Sequence, residues 1–259
     1  MASLRARALA GLPDELSVGD DLAALIAAAA ERSGEALADG QLLVIAHKAV
    51  SKCEGAVVAL AGVRPSDRAR ELAAEATAAG QERDARAIQV VLDQSAEIIR
   101  AERGVLITRT HHGFVCANAG VDASNAADAE TLIVLPRDPD ASARQMRARL
   151  RELSSASVGV LITDSFGRAW RNGQVDVAIG LAGINALDDW RGRADARGME
   201  LRATWLAVAD AAAAIGELTR AKDSREPVVV VEGLERFLTD EDGPGIAPLL
   251  RSLDEDLFR

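Results

Sequence analysis

Two lysines four residues apart are the first candidates for binding an anionic ligand. Lysine occurs only three times in the 259-residue chain, as Lys48, Lys52 and Lys222, while arginine supplies the other basic side chains. A lysine retained in such a chain indicates a position that needs a compact ammonium group. Lys48 and Lys52 lie in the segment AHKAVSK, which follows the apolar run QLLVI. The pair predicts contacts with phosphate, and two ordinary surface lysines are the alternative.

Two carboxylates and a hydroxyl are candidates for binding a divalent cation. Mg²⁺ and Mn²⁺ prefer such oxygens and complete their shell with water and substrate phosphates. Asp164 and Ser165 follow the apolar run VGVLIT, at a strand end where ligands commonly bind in open α/β sheets. Asp164 could instead cap the next element. Asp122, in GVDASN, could instead close an Asx turn.

The histidines and glycines form none of the common catalytic motifs. The three histidines do not form HExxH, and the adjacent His111 and His112 predict a structural role and not a zinc site. The chain has neither GxxxxGK[ST] nor a GxGxxG between strand and helix, and it has no GxSxG. A Walker ATPase, a Rossmann dehydrogenase and an α/β-hydrolase therefore lose support.

Composition restricts the partners and the compartment. A formal net charge of -10 leaves no broad basic surface, so we expect no nucleic-acid partner. No stretch approaches the ~18 uninterrupted apolar residues that a bilayer span needs, so we expect no membrane partner. Cys53 and Cys116 have no zinc-ligand spacing and form no disulfide framework. These features predict a cytoplasmic protein.

Helices and strands that could position these residues alternate along the chain. Helices are predicted over residues 22–33, 65–80 and 84–100, and in DPDASARQMRARLREL. Strands are predicted in QLLVIAH, VLITRT, LIVLP and PVVVVEG, and in VGVLITDS, where the strand ends at Asp164 and Ser165. The segment HHGFVCANAGVDASN, which has no clean period, is predicted to be irregular, and FGRAWRNGQ is rich in glycine and arginine. Because no regular βαβ unit repeats, the pattern predicts an α+β, mixed α/β architecture with a sheet of mixed direction.

Several ordered segments resemble the coenzyme F-420:L-glutamate ligase family. They are AHKAVSKCEG, HHGFVCANAGVDASN, LPRDPDASA and DSFGRAWRNGQVDVAIG, within a similarity from about Leu12 to about Gly233. The resemblance implies a GTP-dependent ligase that adds L-glutamate to the lactyl carboxylate of the glutamate-free deazaflavin coenzyme F-420 through an acyl phosphate. A second, γ-linked glutamate can follow. It further implies two divalent ions, Mg²⁺ or Mn²⁺, and a stimulating K⁺.

The same resemblance implies the residues of the site. The implied nucleotide site consists of Leu12, Pro13, Asp14, Glu15, His47, Lys48, Lys52 and Asn125. Asp122 and Asp164 would bind one divalent ion and Ser165 would contact a second. Asp122, Asp164 and Lys52 are thus the implied catalytic residues. Four arginines are candidates for bidentate binding of phosphate or of the glutamate carboxylates, namely Arg168, Arg171, Arg191 and Arg193. Arg191 and Arg193 could equally be solvated loop arginines.

The resemblance also implies an unusual ligase fold of two intertwined α/β subdomains in a homodimer, with the site close to the dimer interface. No Pro/Gly/Ser-rich linker divides the chain, so residues 1–259 are expected to form a single ligase domain, with two subdomains as the alternative.

Two positions depart from the family pattern. His47 and Lys48 stand where relatives often have Ser or Thr before SK, and Ala211 follows Asp210 where they commonly read AVADE. The lost carboxylate could alter the second metal site. Two other functions stay open: a ligase of the same scaffold with a different carboxylate acceptor, and a silent nucleotide-binding or interaction module. The retained metal and nucleotide candidates argue against the silent module.

Overall fold

The computed structural model describes residues 3–124, 126 and 128–256, and its helices and strands interleave along the chain. In chain order they are β1 (Arg5–Ala8), α1 (Leu22–Arg32), β2 (Leu42–Ala46), α2 (His47–Glu54), β3 (Val57–Ala59), α3 (Asp67–Ala78), α4 (Ala85–Asp93), β4 (Ser95–Glu102), β5 (Val105–Thr110), β6 (Val115–Ala117), β7 (Thr131–Ile133), α5 (Pro139–Ser154), β8 (Gly159–Arg168), β9 (Arg171–Ala182), β10 (Leu187–Asp189), β11 (Trp205–Ala207), α6 (Val208–Thr219) and β12 (Val228–Glu232). The predicted α+β class is confirmed.

The largest sheet has five strands in the order β1-β12-β2-β8-β9. Strands β2 and β8 run parallel and the other neighbours run antiparallel, so the predicted sheet of mixed direction is confirmed. The β2 residues from Leu42 to Ile45 are fully buried. A continuous apolar run of this kind is typical of a strand covered on both faces.

Helices α5 and α6 cover opposite faces of this sheet. A Cβ on Gly216 of α6 would meet Val44 of β2, and a Cβ on Gly180 of β9 would meet Pro139 of α5. Val44 of β2 pairs with Leu161 of β8. Gly180 of β9 pairs with Ile162, the next residue of β8. Because successive strand residues point to opposite faces, the two helices must lie on opposite sides.

Caps and glycines mark where the helices begin and end. Asp138 accepts a hydrogen bond from the Ala141 backbone at the start of α5, and Pro139 occupies the first turn, where its missing N–H costs nothing. Helix α2 begins at His47 as soon as β2 ends, and it stops at Gly55, whose φ of 74° is left-handed. Strand and helix are thus joined without a linker, which places the lysine pair just past the carboxyl end of the central strand of the sheet.

The segment between β3 and β7 builds smaller cores of its own. Helices α3 and α4 pack on the sheet β4-β5-β6 through apolar side chains that include Leu72, Ile88 and Leu106. The strand pair β3-β7 packs against α4 in a second small core that includes Leu60, Val90 and Leu132. None of the helices in the described part of the chain is long and apolar enough to cross a membrane.

The predicted helix over residues 84–100 is wrong in its second half. Helix α4 ends at Asp93, and Ser95–Glu102 forms β4, which pairs antiparallel with β5. The apolar residues of this segment fit a helical spacing, but pairing with β5 satisfies the backbone and overrides that local preference.

Two further predictions need correction near the candidate site. Strand β8 does not end at Ser165 but runs to Arg168, and it turns at Ala169 and Trp170 into β9. The glycine- and arginine-rich segment FGRAWRNGQ therefore forms the end of a hairpin. The segment HHGFVCANAGVDASN likewise contains β6 and a 3₁₀ turn at Asn118–Gly120. Cross-strand pairing decides both cases, and it lies outside any single sequence window.

Candidate functional site

Helix α2 carries three predicted nucleotide residues, and each contacts a different segment of the chain. His47 lies against Asp164 in the middle of β8, Lys48 contacts the loop after β6, and Lys52 approaches the N-terminal segment. The parallel pairing of β2 with β8 sets Ala46 beside Thr163, so the first residue of α2 is adjacent to Asp164. One short helix therefore gathers residues that are far apart in sequence.

His47 is buried and directed at Asp164. Its Nε2 lies 3.2 Å from Asp164 Oδ1, outside hydrogen-bond geometry, and its Nδ1 lies 3.3 Å from Ser51 Oγ. The His47 side chain is 2% exposed and that of Asp164 is 15% exposed. The same Asp164 oxygen accepts a hydrogen bond of 2.8 Å from the Ser165 backbone. The imidazole packs against the Asp164 carboxylate, and its contact with a nucleotide stays a prediction.

Asp122 combines an ion pair with a turn. Lys48 Nζ lies 2.7 Å from Asp122 Oδ2 and 2.5 Å from Ser124 Oγ. Asp122 Oδ1 accepts a hydrogen bond of 2.6 Å from the Ser124 backbone, which is the Asx turn that was the alternative to metal binding. Burial raises the pKa of Asp122, but the hydrogen bonds from Lys48 and Ser124 outweigh it and hold the pKa below its ordinary value. Asp122 is therefore an ionised carboxylate at neutral pH.

Four further predicted nucleotide residues, Leu12 to Glu15, lie in the N-terminal segment, which Lys52 approaches. Lys52 Nζ is 3.8 Å from Glu15 Oε2, and the Lys52 side chain is 17% exposed against 79% for Glu15. Leu12 packs against the main core, Pro13 is exposed beside it, and Asp14 pairs with Arg225. Asn125 lies outside the described residues.

Ser165 is held by residues that the sequence interpretation did not include. Ser165 Oγ donates to Asp176 Oδ1 at 2.6 Å and accepts from Lys222 Nζ at 2.7 Å. Asp176 is directly opposite Ser165 across the β8–β9 hairpin and is 1% exposed. The scarcity of lysine could have singled out Lys222 as a candidate site residue, because it is one of only three lysines in the chain.

Asp164 and Ser165 point to different sides of the sheet. Both lie in β8, where consecutive side chains alternate between faces. Asp164 meets His47 of α2, whereas Ser165 meets Lys222, which follows α6. Burial, with a contribution from the Asp164 carboxylate, raises the pKa of the Cys116 thiol of β6 to about 12.

The candidate arginines are not gathered at this site in the described structure. Arg168 and Arg171 are exposed at the hairpin end, and Arg168 donates to the Asn172 carbonyl within the hairpin. Arg191 pairs with Asp189 at 2.6 Å and lies 4.1 Å from the centre of the Trp205 ring. Arg193 pairs with Asp188 and lies over Trp190. The last two are local partners of the β10–β11 loop.

The two adjacent histidines make structural hydrogen bonds. His111 Nε2 lies 3.0 Å from the Asp93 carbonyl, and His112 Nε2 lies 2.9 Å from the Pro136 carbonyl. The His112 ring also stacks on Phe114. These contacts agree with the structural role predicted for the pair.

Asp210 contacts the sheet, whereas Ala211 is exposed. Asp210 Oδ1 accepts a hydrogen bond of 3.0 Å from the Ala178 backbone, and burial raises the pKa of Asp210. Ala211, the departure from the family pattern, faces outward on the next position of α6.

The oxygen donors fit a hard divalent cation that keeps part of its own shell. Asp122 and Asp164 provide carboxylates for one cation, and Ser165, on the other face of β8, provides a hydroxyl only for a separate one. The described residues contain no group of three or more His, Cys, Asp or Glu able to enclose a metal. Mg²⁺ is commonly bound in this way, through one or two carboxylates with water and substrate phosphates in the other positions. The two lysines of α2 suit such an anionic substrate.

Comparison with known proteins decides the family. The profile of the F420-0:Gamma-glutamyl ligase family matches residues 13–233. The chain belongs to this family. The match includes α2, the three metal-binding candidates and the whole β8–β9 hairpin.

Relatives in the family match along nearly their whole length. The coenzyme F420:L-glutamate ligase of Methanopyrus kandleri is 45% identical over 93% of this chain and 92% of its own length. Proteins of the same name from Methanothermobacter thermautotrophicus and Halobacterium salinarum are 40% and 42% identical, over 94% and 99% of this chain and 94% and 96% of their own lengths.

Proposed function

We propose that this protein is a GTP-dependent ligase that adds L-glutamate to the lactyl carboxylate of glutamate-free coenzyme F420. The observation that carries the proposal is helix α2, which brings Lys48 to the segment that contains Asp122, brings Lys52 to the N-terminal segment and sets His47 against Asp164. The names of the relatives supply the acceptor and the amino acid, because they are coenzyme F420:L-glutamate ligases.

The proposed reaction proceeds through an acyl phosphate, since a free carboxylate acylates an amine poorly. A carboxylate oxygen of the acceptor attacks the γ-phosphorus of GTP, and the bond to the leaving GDP breaks. The amine of L-glutamate then attacks the acyl carbon, phosphate leaves, and the nitrogen loses a proton. A second, γ-linked glutamate is added in the same way to the first product.

The residues contribute by positioning and by charge. Lys52 and Lys48 bind nucleotide phosphates as compact cations, together with Leu12 to Glu15, His47 and Asn125. Asp122 and Asp164 hold one divalent ion, Ser165 contacts a second, and K⁺ stimulates turnover. Bound Mg²⁺ or Mn²⁺ would neutralise phosphate oxygens, which is the main requirement of phosphoryl transfer. Arg168 and Arg171 bind phosphate or a glutamate carboxylate when the hairpin end meets the substrates.

We further propose that the active form is a homodimer of intertwined subdomains, with the site close to the interface. The β8–β9 hairpin supports this proposal, because its end is exposed and carries Trp170, which is 83% exposed. A large exposed aromatic side chain is common where a partner packs.

The test is a reaction of the purified protein with GTP, Mn²⁺, L-glutamate and glutamate-free coenzyme F420, followed by mass spectrometry. We expect products heavier by one and by two glutamyl units, with GDP and phosphate in equal amounts. A parallel reaction with ATP measures nucleotide preference. If product forms only with a different carboxylate, the proposed acceptor is wrong and the protein is a ligase with that other acceptor. If GTP is not turned over with any acceptor, the protein is a silent nucleotide-binding or interaction module.

A further inference from the structure

Four residues close a ring of hydrogen bonds and ion pairs around the Ser165 hydroxyl. Ser165 Oγ donates to Asp176 Oδ1 at 2.6 Å, and the Asp176 backbone N–H donates to Glu217 Oε2 at 2.8 Å. Glu217 Oε1 pairs with Lys222 Nζ at 3.2 Å, and Lys222 Nζ donates to Ser165 Oγ at 2.7 Å. The ring joins the β8–β9 hairpin to the end of α6, and it holds the hydroxyl from two sides.

Asp176 is a buried carboxylate whose charge is compensated. It is 1% exposed, and its Oδ2 accepts hydrogen bonds from the Arg220 guanidinium and from Thr163 Oγ1. Burying a carboxylate is costly unless it is paired and hydrogen-bonded, and both conditions are met here. Arg220 has only donors to offer, so it requires an acceptor oxygen of residue 176 on its own side.

The hydrogen bond to Asp176 sets the direction of the Ser165 proton. Ser165 Oγ is the donor and Asp176 Oδ1 the acceptor, so the Ser165 proton points to Asp176. Lys222 can only donate, so it occupies one of the two lone pairs of Ser165 Oγ. One lone pair is left, and it is available to a cation. A freely rotating hydroxyl would present its proton to that cation in part of its orientations.

We propose that Asp176 is a positioning residue of the ligase site, which orients the Ser165 hydroxyl so that its oxygen faces the bound cation. The inference rests on the proposed role of Ser165 as a cation ligand. A structural explanation predicts something different, namely that Asp176 only ties β9 to Arg220 and that its loss lowers stability alone.

The decisive variant is Asp176→Asn, which preserves shape. Arg220 would still require an acceptor, so the amide oxygen would face Arg220 and the amide NH₂ would face Ser165. The Ser165 hydrogen bond would then reverse, with both lone pairs occupied and the proton turned toward the site. Loss of an outer partner of a metal ligand typically weakens metal affinity by about 10–100-fold. We therefore expect at least about a tenfold weaker affinity for Mn²⁺.

Mn²⁺ binding is measured without turnover, by electron paramagnetic resonance of free Mn²⁺ in the presence of a nonhydrolysable GTP analogue. Half-saturating Mn²⁺ and kcat are measured in the glutamate assay, and stability by thermal unfolding. The variants are Asp176→Asn, Ser165→Ala and both together. The double variant should bind Mn²⁺ as weakly as Ser165→Ala alone, because residues that act as one unit are not additive.

A matched control is Asp140→Asn, which alters a carboxylate that accepts the Leu181 backbone N–H of the same strand β9. It should lower the unfolding temperature and leave Mn²⁺ affinity unchanged. If Asp176→Asn does not fold, Asp176→Leu combined with Arg220→Met removes both charges together and avoids an unpaired guanidinium. This pair should show the same weakening of Mn²⁺ binding.

The outcomes separate this inference from the proposed function. If Ser165→Ala binds Mn²⁺ like the wild type, Ser165 is not a cation ligand and both proposals about it are overturned. If Ser165→Ala weakens binding and Asp176→Asn does not, only the positioning role is overturned. Multiplicative losses in the double variant would likewise show that Asp176 acts independently of Ser165.

Discussion

At the scale of single residues, contacts distinguish side chains that look equivalent in the sequence. His47 and Lys48 are neighbours, yet His47 is 2% exposed against Asp164 and Lys48 reaches the loop to pair with Asp122. The Asx turn and the ion pair of Asp122 coexist, because its two carboxylate oxygens have different partners. Asp122 therefore has a structural contact and remains a metal candidate.

Asp164→Asn should reduce turnover much more than stability. The change keeps the volume of the side chain but removes a charge-bearing oxygen, and loss of a transition-state electrostatic contact typically costs about 3 kcal/mol, or on the order of a hundredfold in rate. If Asp122 binds the same ion, Asp122→Asn should have a similar effect and the double variant should be little worse than either. The measurement is the initial rate as a function of Mn²⁺ concentration for four proteins: the wild type, the two single variants and the double variant.

Thermal unfolding of the same four proteins is the control for stability. Independent, multiplicative rate losses with an unshifted Mn²⁺ dependence would show that Asp122 and Asp164 do not share an ion.

Lys52→Ala should weaken GTP binding by roughly tenfold or more, since hydrogen bonds to charged groups contribute about 1.5–3 kcal/mol. Stability should change little, because its pairing with Glu15 at 3.8 Å is loose and Glu15 is largely exposed. Calorimetric titration with GTP and Mn²⁺ measures the affinity. Arg5→Ala, which removes an exposed ion pair with Glu35, is the matched control. If Lys52→Ala and Arg5→Ala bind GTP with equal affinity, Lys52 is an ordinary surface lysine.

At the scale of elements, helix α6 approaches the sheet through Gly216. A Cβ at this position would lie 2.5 Å from Val44 Cγ1 and 3.0 Å from its Cβ. Helix propensity favours Gly216→Ala by about 1 kcal/mol, while overpacking a core typically costs about 1–3 kcal/mol. Because Val44 is a stiff, fully buried strand residue, we expect the clash to prevail and the free energy of unfolding to fall by about 1 kcal/mol.

Urea denaturation of Gly216→Ala measures this change. Val44→Ala should remove the clash, so Gly216→Ala should cost less in that background than in the wild type. Equal costs in both backgrounds, or a gain in the wild type, would show that the helix shifts without penalty.

At the scale of the whole molecule, net charge opposes the binding of a nucleotide. The chain carries a formal charge of -10, and GTP is itself strongly anionic. We therefore expect GTP affinity to collapse when a chelator removes divalent cations. Calorimetry with and without Mg²⁺ or Mn²⁺ tests this, and equal affinities would contradict it. Because salt screens exposed charges beyond about 8 Å at physiological ionic strength, the part of the effect that comes from the net charge should shrink when salt is raised. The part that comes from a cation in contact with the phosphates should persist.

The proposed homodimer should have twice the mass of the chain in solution. Light scattering across micromolar concentrations measures that mass, and a dilution series tests whether the dimer dissociates. The exposed Trp170 at the hairpin end suggests where copies meet, so Trp170→Ser should favour the monomer. A monomeric wild type at micromolar concentration would reject the intertwined arrangement.

Local signals in the sequence determined those elements that carry their own start, stop and periodicity. The apolar runs of β2 and β12 predicted buried strands, and the Asp138–Pro139 pair predicted the start of α5. The family motifs identified Asp122, Asp164 and Lys52 as candidates before any contact was known. Each of these inferences needed only neighbouring residues or a fixed order of segments.

Only the tertiary structure decided what depends on pairing between distant segments. Strand β4 forms because β5 lies beside it, although its residues also fit a helical spacing. Asp176 meets Ser165 because the β8–β9 hairpin sets them in register, and α6 must then bring Glu217 and Lys222 to the same hydroxyl. Side-chain partners of this kind follow from strand register and helix placement, and neither is written in any local spacing of residues.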